Sequence, residues 1–206
     1  MVEVSKPRLL DLFCGAGGCA RGYQDAGFYV VGVDLDPQPR YAGGEFVQAG
    51  ALDYLGAHWR EFDAIHASPP CQHYANVTKW RGEQSDHPDL IGPTRALLEF
   101  TGLPWVIENV LTPEVRGDIV LCGTMFGLRV RRHRLFETNW SGVVMTPPCQ
   151  HRADDYAFEH KQERAYADAL GCEWMTNREG RQAIPPAYTE FIGQRLMQYV
   201  CAEAAA

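Results

Sequence analysis

No stretch of this chain approaches the ~20 consecutive apolar residues that a membrane span requires. The opening residues, Met1-Val2-Glu3-Val4-Ser5-Lys6, carry no apolar signal core. No membrane partner is expected, and the expected location is the cytoplasm. Positive charge is also scarce: 19 Lys and Arg stand against 26 Asp and Glu, a net charge of −7. That balance excludes the globally basic surface of most nucleic-acid binders. Any affinity for phosphates must be local and salt-sensitive, and the strongest positive patch is Arg129, Arg131, Arg132 and Arg134. The chain lacks a Gly-x-Gly-x-x-Gly run, which speaks against a nicotinamide cofactor. It also lacks long internal repeats. Its seven cysteines are odd in number and irregular in spacing. They read as thiols in a reducing compartment, not as a disulfide framework.

What is present is an ordinary globular composition: 206 residues, 46% apolar and 22% charged, enough for one domain with a proper core. Residues 8–13 read as a buried strand, 15–18 as a Gly-rich turn, 19–26 as a helix and 28–33 as a second strand ended by Asp34. Residues 46–48, 62–67 and 105–107 read as further strands, with 118–121 and 134–137 completing the sheet. A helix is expected over 93–102 and another over 188–201, where Phe191, Ile192, Leu196 and Val200 recur at helical spacing. Strands alternating with helices imply an α/β fold with a mostly parallel, doubly wound sheet. Ligands of such folds sit at the carboxyl ends of the strands. Residues 138–180 are different: they hold Pro147-Pro148, two cysteines and several acids, and read as a small irregular insertion with one amphipathic helix near 158–170. The expected organisation is a core over 1–137, the insertion over 138–180 and a returning C-terminal helix over 181–206.

Three segments carry chemistry. In Asp11-Leu12-Phe13-Cys14-Gly15-Ala16-Gly17-Gly18 the glycines allow a sharp turn and close approach of backbone to a ligand, at a helix N-terminus that favours anions. Asp34 ends the next strand, where an acid can accept from ribose hydroxyls. In Ser68-Pro69-Pro70-Cys71-Gln72 two prolines fix the backbone before a thiol. A sulfur held that way suits a nucleophile, given a nearby cation or dipole to favour thiolate. Cys14, Cys19, Cys122, Cys172 and Cys201 read instead as buried structural thiols. Glu108 follows Trp105-Val106-Ile107, so its carboxylate emerges from an apolar strand, where partial burial lets it share a proton near neutrality.

These segments, with Glu108-Asn109-Val110 and Arg131-Arg132-His133-Arg134-Leu135-Phe136, occur in one order. In that order the chain resembles the DNA (cytosine-5)-methyltransferase family, and its small size resembles compact phage-encoded members. The resemblance implies a Rossmann-like class I fold with S-adenosylmethionine as methyl donor. It places Phe13 on the adenine, Asp34 at the ribose and the glycine turn of Gly15, Gly17 and Gly18 under the methionine moiety, and it adds Asp11 and Leu35 to the cofactor-binding residues. Ser68, Pro70 and Gln194 complete the cofactor set. Cys71 is implied as the nucleophile toward C6 of cytosine, Glu108 as the group at the N3 edge, and Arg132 and Arg134 as orienting cations. Pro69, Gln72 and Asn109 are implied to touch the substrate, a cytosine flipped out of DNA. A monomer that helps protect DNA from restriction is the accompanying expectation.

Departures from the family pattern are visible. Gly50 stands where the family commonly has an Asp meeting the adenine amino group, and Asp53 is a candidate to compensate. Gly193-Gln194-Arg195-Leu196 replaces the usual Gly-Asn-(Ser or Ala)-Val, which leaves open a cofactor carrying an extra carboxyl group. The insertion is short for a DNA-reading region, so specificity should be short or relaxed. Thr146-Pro147-Pro148-Cys149-Gln150-His151 echoes residues 68–73. Cys149 with His151, His160 or Cys172 can be imagined around zinc, but four ligands at regular spacing are absent, so no metal site is expected. Two other functions remain open: modification of a free cytosine nucleotide, or a catalytically weakened DNA-binding module.

Overall fold

The computed structural model describes residues 5–70, 89–140, 145–156 and 163–204. Among them, strands β1 (Arg8–Leu12), β2 (Tyr29–Asp34), β3 (Glu45–Gln48), β4 (Ala64–Ala67), β5 (Trp105–Asn109), β6 (Ile119–Leu121) and β7 (Arg134–Thr138) form one sheet in the order β3-β2-β1-β4-β5-β7-β6. The first five are parallel, while β7 runs antiparallel to both β5 and β6. The order reverses beside β1, so the carboxyl ends of β1 and β4 border the crevice where such folds bind ligands.

Helix α1 (Gly18–Asp25) and the C-terminal helix, here α6 (Pro186–Glu203), cover one face. Tyr23, Tyr188, Ile192 and Leu196 pack there against Leu9, Val106 and Phe136. Helices α2 (Ala51–His58) and α3 (Ile91–Thr101) cover the other face, where Leu55 and Leu98 meet Leu10, Leu12, Ile65 and Ile107. Burial on both faces is why the strands read as continuous apolar runs. Each such side chain contributes about 1.5–3 kcal/mol on leaving water. Strand alternation then matters for the site. Leu9, Ala64 and Val106 face α1 and α6, so Asp11, His66 and Glu108 face the same way.

Glu137, fully buried on β7, accepts from Arg95 on α3 at 2.7 and 2.8 Å and from the Arg116 backbone N–H at 2.9 Å. Burial opposes ionisation of Glu137, but these donors outweigh it and hold the carboxyl below its ordinary range. The pair fixes the antiparallel end of the sheet to α3.

Several sequence expectations need adjustment. Phe13 lies outside β1 because its φ of 60° breaks the strand. β5 extends through Glu108 and Asn109, which pair with Phe136 and Leu135 of β7, so the acid sits within the sheet and not beyond it. Helix α2 was not expected; Ala51 and Leu55 are its buried residues, too few to make a periodic pattern. The insertion holds α4 (Glu163–Ala169) and a second helix, α5 (Asn177–Gln182), whose start is a capping box between Thr176 and Glu179. The insertion has its own apolar core of Tyr166, Leu170, Cys172 and Met175, built on Ala16 and Val130. Cys201 is exposed, not buried, because it falls on the solvent side of α6.

Candidate functional site

At the end of β1 the chain turns through Phe13 (φ 60°), Gly15 (φ 48°) and Gly17 (φ 83°). Glycine is required at the last of these for space as well as for backbone. A Cβ on Gly17 would lie 2.8 Å from the Ala42 backbone nitrogen, and one on neighbouring Gly18 would lie 2.4 Å from the Ile184 carbonyl oxygen. Asp34 supports the turn from β2: one carboxylate oxygen accepts from the Gly15 N–H at 2.9 Å and the other from the Asp36 N–H at 3.0 Å. Each oxygen keeps acceptor capacity for a ligand hydroxyl. Leu35 beside it is 72% exposed. The Ala16 carbonyl accepts from the Trp174 indole at 2.9 Å, so the insertion leans directly on the turn.

Asp11 is fully buried, and neither carboxylate oxygen has a well-placed hydrogen-bond partner. Burial, with the charges of Asp34 and Glu108 nearby, pushes its pKa well above the ordinary range. A buried acid eased by a weak contact from the Ala20 backbone N–H, beside a glycine turn and an oriented Asp34, fits a ligand bearing both positive charge and sugar hydroxyls. S-adenosylmethionine is such a ligand. A Cβ on Gly50 would lie 3.0 Å from Asp53 Oδ2, so the Asp53 carboxylate stands beside the space that a side chain at 50 would enter. Gln194 is not brought to the turn. It is exposed on α6, donating to Glu190 at 3.3 Å, and its neighbour Gly193 packs on Tyr23 and Ala26 near the far end of α1. The backbone over Gly18 is instead that of Ile184. Sequence reading missed it, although Ala183-Ile184-Pro185-Pro186 announces a helix start.

The second half of the site lies across β4 and β5. Glu108 is buried, and its Oε1 pairs with Arg134 Nε at 3.0 Å. Burial raises its pKa, with Arg134, Arg132 and a hydrogen bond from Ser68 opposing. Ser68 also meets His66 Nε2 at 2.9 Å, and His66 Nδ1 meets the Tyr23 hydroxyl at 2.9 Å. Burial lowers the His66 pKa to about 3, so this imidazole stays neutral. Asn109 points to the opposite face, donating from Nδ2 to the Pro69 carbonyl at 2.9 Å and accepting from the Val110 N–H at 2.9 Å. Its amide therefore holds the Pro69-Pro70 segment against β5. Cys71 and Gln72 lie outside the described residues.

Arg132 and Arg134 part company. Arg134 lines the site. Arg132 is buried, donating to the Tyr166 hydroxyl at 3.0 Å and the Arg181 carbonyl at 2.9 Å, while its own carbonyl accepts from Tyr188 at 2.6 Å. It ties the insertion to the core, a structural employment that the sequence cannot distinguish from base binding. The expectation of no metal ligands also meets a different geometry. Cys149 and His151 come together with Cys122 and His133. Cys172 is instead buried in the insertion core, and His160 lies outside the described residues.

No family model matches the chain. Among curated proteins, the type II methyltransferase M.XorII of Xanthomonas oryzae pv. oryzae is 28% identical over 149 residues, covering 65% of this chain and 31% of that protein. The chain thus spans about a third of the length of that relative. Among solved structures, the S. pombe Dnmt2 methyltransferase is similar over 95% of this chain and 99% of its own, with a TM-score of 0.59 at 11% identity. The Entamoeba histolytica methyltransferase EhMeth is similar over 97% and 99%, with a TM-score of 0.58 at 11% identity. The architecture is the Rossmann-like fold of these methyltransferase structures, and in the order of its motifs the chain is similar to the DNA (cytosine-5)-methyltransferases.

Proposed function

We propose that this protein transfers a methyl group from S-adenosylmethionine to C5 of a cytosine in DNA. One arrangement carries the reading. On β5 the buried Glu108–Arg134 pair faces the crevice, while the adjacent Asn109 grips the Pro69 carbonyl two residues before Cys71. The segment that leads to Cys71 is thus tied at Pro69 to the strand that carries the acid, which supports a reading in which a pyrimidine is held between sulfur and carboxyl.

The bound cofactor would supply an electrophilic methyl group. Asp34 would hold its ribose, Leu35 and Phe13 its base, Asp53 the adenine amino group, and the glycine turn with Asp11 the methionine end. The Cys71 thiolate would add to C6 of the cytosine, converting C5 into an enamine-like carbon. Glu108, its pKa raised by burial, would give a proton or hydrogen bond at N3 as charge develops there. Arg134 would hold Glu108 in place and compensate its charge. After methyl transfer to C5, loss of the C5 proton and departure of the sulfur would regenerate the thiolate. The ring cannot be reached in a duplex, so the base must be flipped out. Protection of DNA from restriction by a monomeric, cytoplasmic enzyme is the biological setting proposed with this chemistry.

Transfer of labelled methyl from S-adenosylmethionine to duplex DNA, with Cys71→Ala beside the wild type, tests the assignment. Label at C5 of cytosine that disappears in the variant is the expected result. Equal labelling by both proteins refutes it. Preference for free cytosine nucleotides over DNA would instead favour the nucleotide-modifying reading, to which the acidic surface and short insertion lend some support.

A further inference from the structure

We infer that Cys122, His133, Cys149 and His151 form a structural zinc site that clamps the insertion to the β6–β7 hairpin. The four side chains come from three separate places. Cys122 follows β6, His133 precedes β7, and Cys149 and His151 sit on residues 145–156 of the insertion. Their ligand atoms all lie within 4.8 Å of one another. Cys149 Sγ is 3.0 Å from His151 Nε2 and 3.3 Å from His133 Nε2, and Cys122 Sγ is 3.4 Å from His151 Nε2. With Zn–S of about 2.3 Å and Zn–N of about 2.0–2.1 Å, a tetrahedron has sulfur–nitrogen edges of about 3.5 Å. The observed separations are close to those edges.

Hydrogen bonding alone serves this geometry poorly. One thiol proton on Cys149 can reach only one of the two imidazole nitrogens beside it. A central cation satisfies all four lone pairs together. Two sulfurs and two imidazole nitrogens, with no fifth position, suit a closed zinc centre. A supporting contact is in place as well. Thr124 Oγ1 lies 3.5 Å from Cys122 Sγ and 3.6 Å from Cys149 Sγ, and accepts from the Gln150 N–H at 3.2 Å. Such a hydroxyl orients thiolates around a metal.

The local architecture also needs a staple. Residues 145–154 are exposed throughout and contain no helix or strand. No apolar core pins them, so conformational entropy opposes their order. A metal bond between this segment and the hairpin supplies what packing does not. The site also abuts the proposed reaction centre, because Arg134 directly follows His133. The clamp would set where the insertion leaves the core beside the Glu108–Arg134 pair.

The test is metal analysis of the full chain, purified without chelators after expression with added zinc. About one zinc per chain is expected. Cys149→Ser and His151→Ala should each lower zinc content at least ~10-fold, while Cys201→Ser, at an exposed thiol elsewhere, should leave it unchanged. Cobalt(II) added to the zinc-stripped chain should give the intense visible bands of a tetrahedral centre with sulfur-to-metal charge transfer. This readout does not depend on a ligand variant folding, nor on methyl transfer. Wild-type protein without zinc and without that cobalt spectrum overturns the inference. So do variants that retain wild-type zinc, or a mass two hydrogens light with a Cys122–Cys149 disulfide mapped by proteolysis.

Discussion

Asn109→Asp exchanges one atom and reverses one hydrogen bond. The amide donates to the buried Pro69 carbonyl at 2.9 Å, and an aspartate of the same shape presents an acceptor to that acceptor. Losing a buried hydrogen bond and leaving its acceptor unsatisfied costs about 1–3 kcal/mol. In a chain of this size, ~2 kcal/mol lowers Tm by about 4–8 °C. The larger effect should be on rate. Pro69 anchors the turn leading to Cys71, and a displacement near 1 Å in a reacting group can cost ~10²-fold. Asn109 touches none of Gly15, Gly17 or Asp34, so cofactor affinity should stay within about 2-fold of wild type, since uncoupled sites act independently. Burial should raise the pKa of the introduced carboxyl. Below that pKa it carries an O–H and can donate to Pro69 again. Activity relative to wild type should therefore recover as pH falls, and Asn109→Ala should show no such recovery. Initial rates of methyl transfer across pH, with calorimetric cofactor titration, measure both effects. A variant with wild-type rate at neutral pH, or with a cofactor defect as large as its rate defect, refutes the positioning argument.

Glu137→Gln breaks a buried pair and should cost about 3 kcal/mol, or about 6–12 °C in Tm, by thermal melting. Because the Glu137 pKa is lowered on folding, its contribution is complete above the unfolded carboxyl pKa and fades as pH falls through the folded value; the gap between variant and wild type should narrow in acid, and a gap independent of pH contradicts the assignment. Glu108→Gln should lower the methyl-transfer rate by ~10²–10⁴-fold and remove the titration limb that a raised carboxyl pKa places on kcat; a variant keeping the wild-type pH profile argues against Glu108 as the proton carrier. Asp53→Ala should weaken S-adenosylmethionine binding about 10-fold, the loss of one hydrogen bond to a charged acceptor, without lowering Tm by more than about 2 °C; unchanged calorimetric affinity means Asp53 does not replace the side chain missing at Gly50.

The sheet and its ligand edge were legible because β1, β2, β4 and β5 are apolar on both faces and each ends in a polar or glycine-rich segment. That pattern survives without knowledge of any contact. Glu108 was found for the same reason, though its place inside β5 depends on pairing with β7, a strand 26 residues away along the chain. Partnership was not legible. Arg132 and Arg134 stand two residues apart with the same side chain, and only the fold sends one to Tyr166 and the other to Glu108. Asn109 was placed at the substrate by the resemblance; its engagement with Pro69, which spans 40 residues of sequence, could not be read from the motif. The metal cluster was half visible as Cys149 and His151, but its other half is contributed by the ends of two strands. Spacing rules reach ligands on one loop and miss those assembled by topology. Gln194 was matched by pattern as part of a glycine-amide pair; its place well along α6 from Ile184 puts it beside the Tyr23–Ala26 end of α1 and away from the glycine turn.

The Ala16 carbonyl has an indole from the insertion as its partner, and the alanine methyl is part of the insertion's core. The turn that would hold the methyl donor and the segment that would meet the acceptor are therefore one mechanical piece. Whatever tightens one restrains the other, and by thermodynamic reciprocity each ligand must change the affinity for its counterpart by the same factor. Under the proposed function, the Ala16 oxygen, which accepts from both the Trp174 indole and the Ala42 N–H, would be one route by which donor and acceptor sites are coupled.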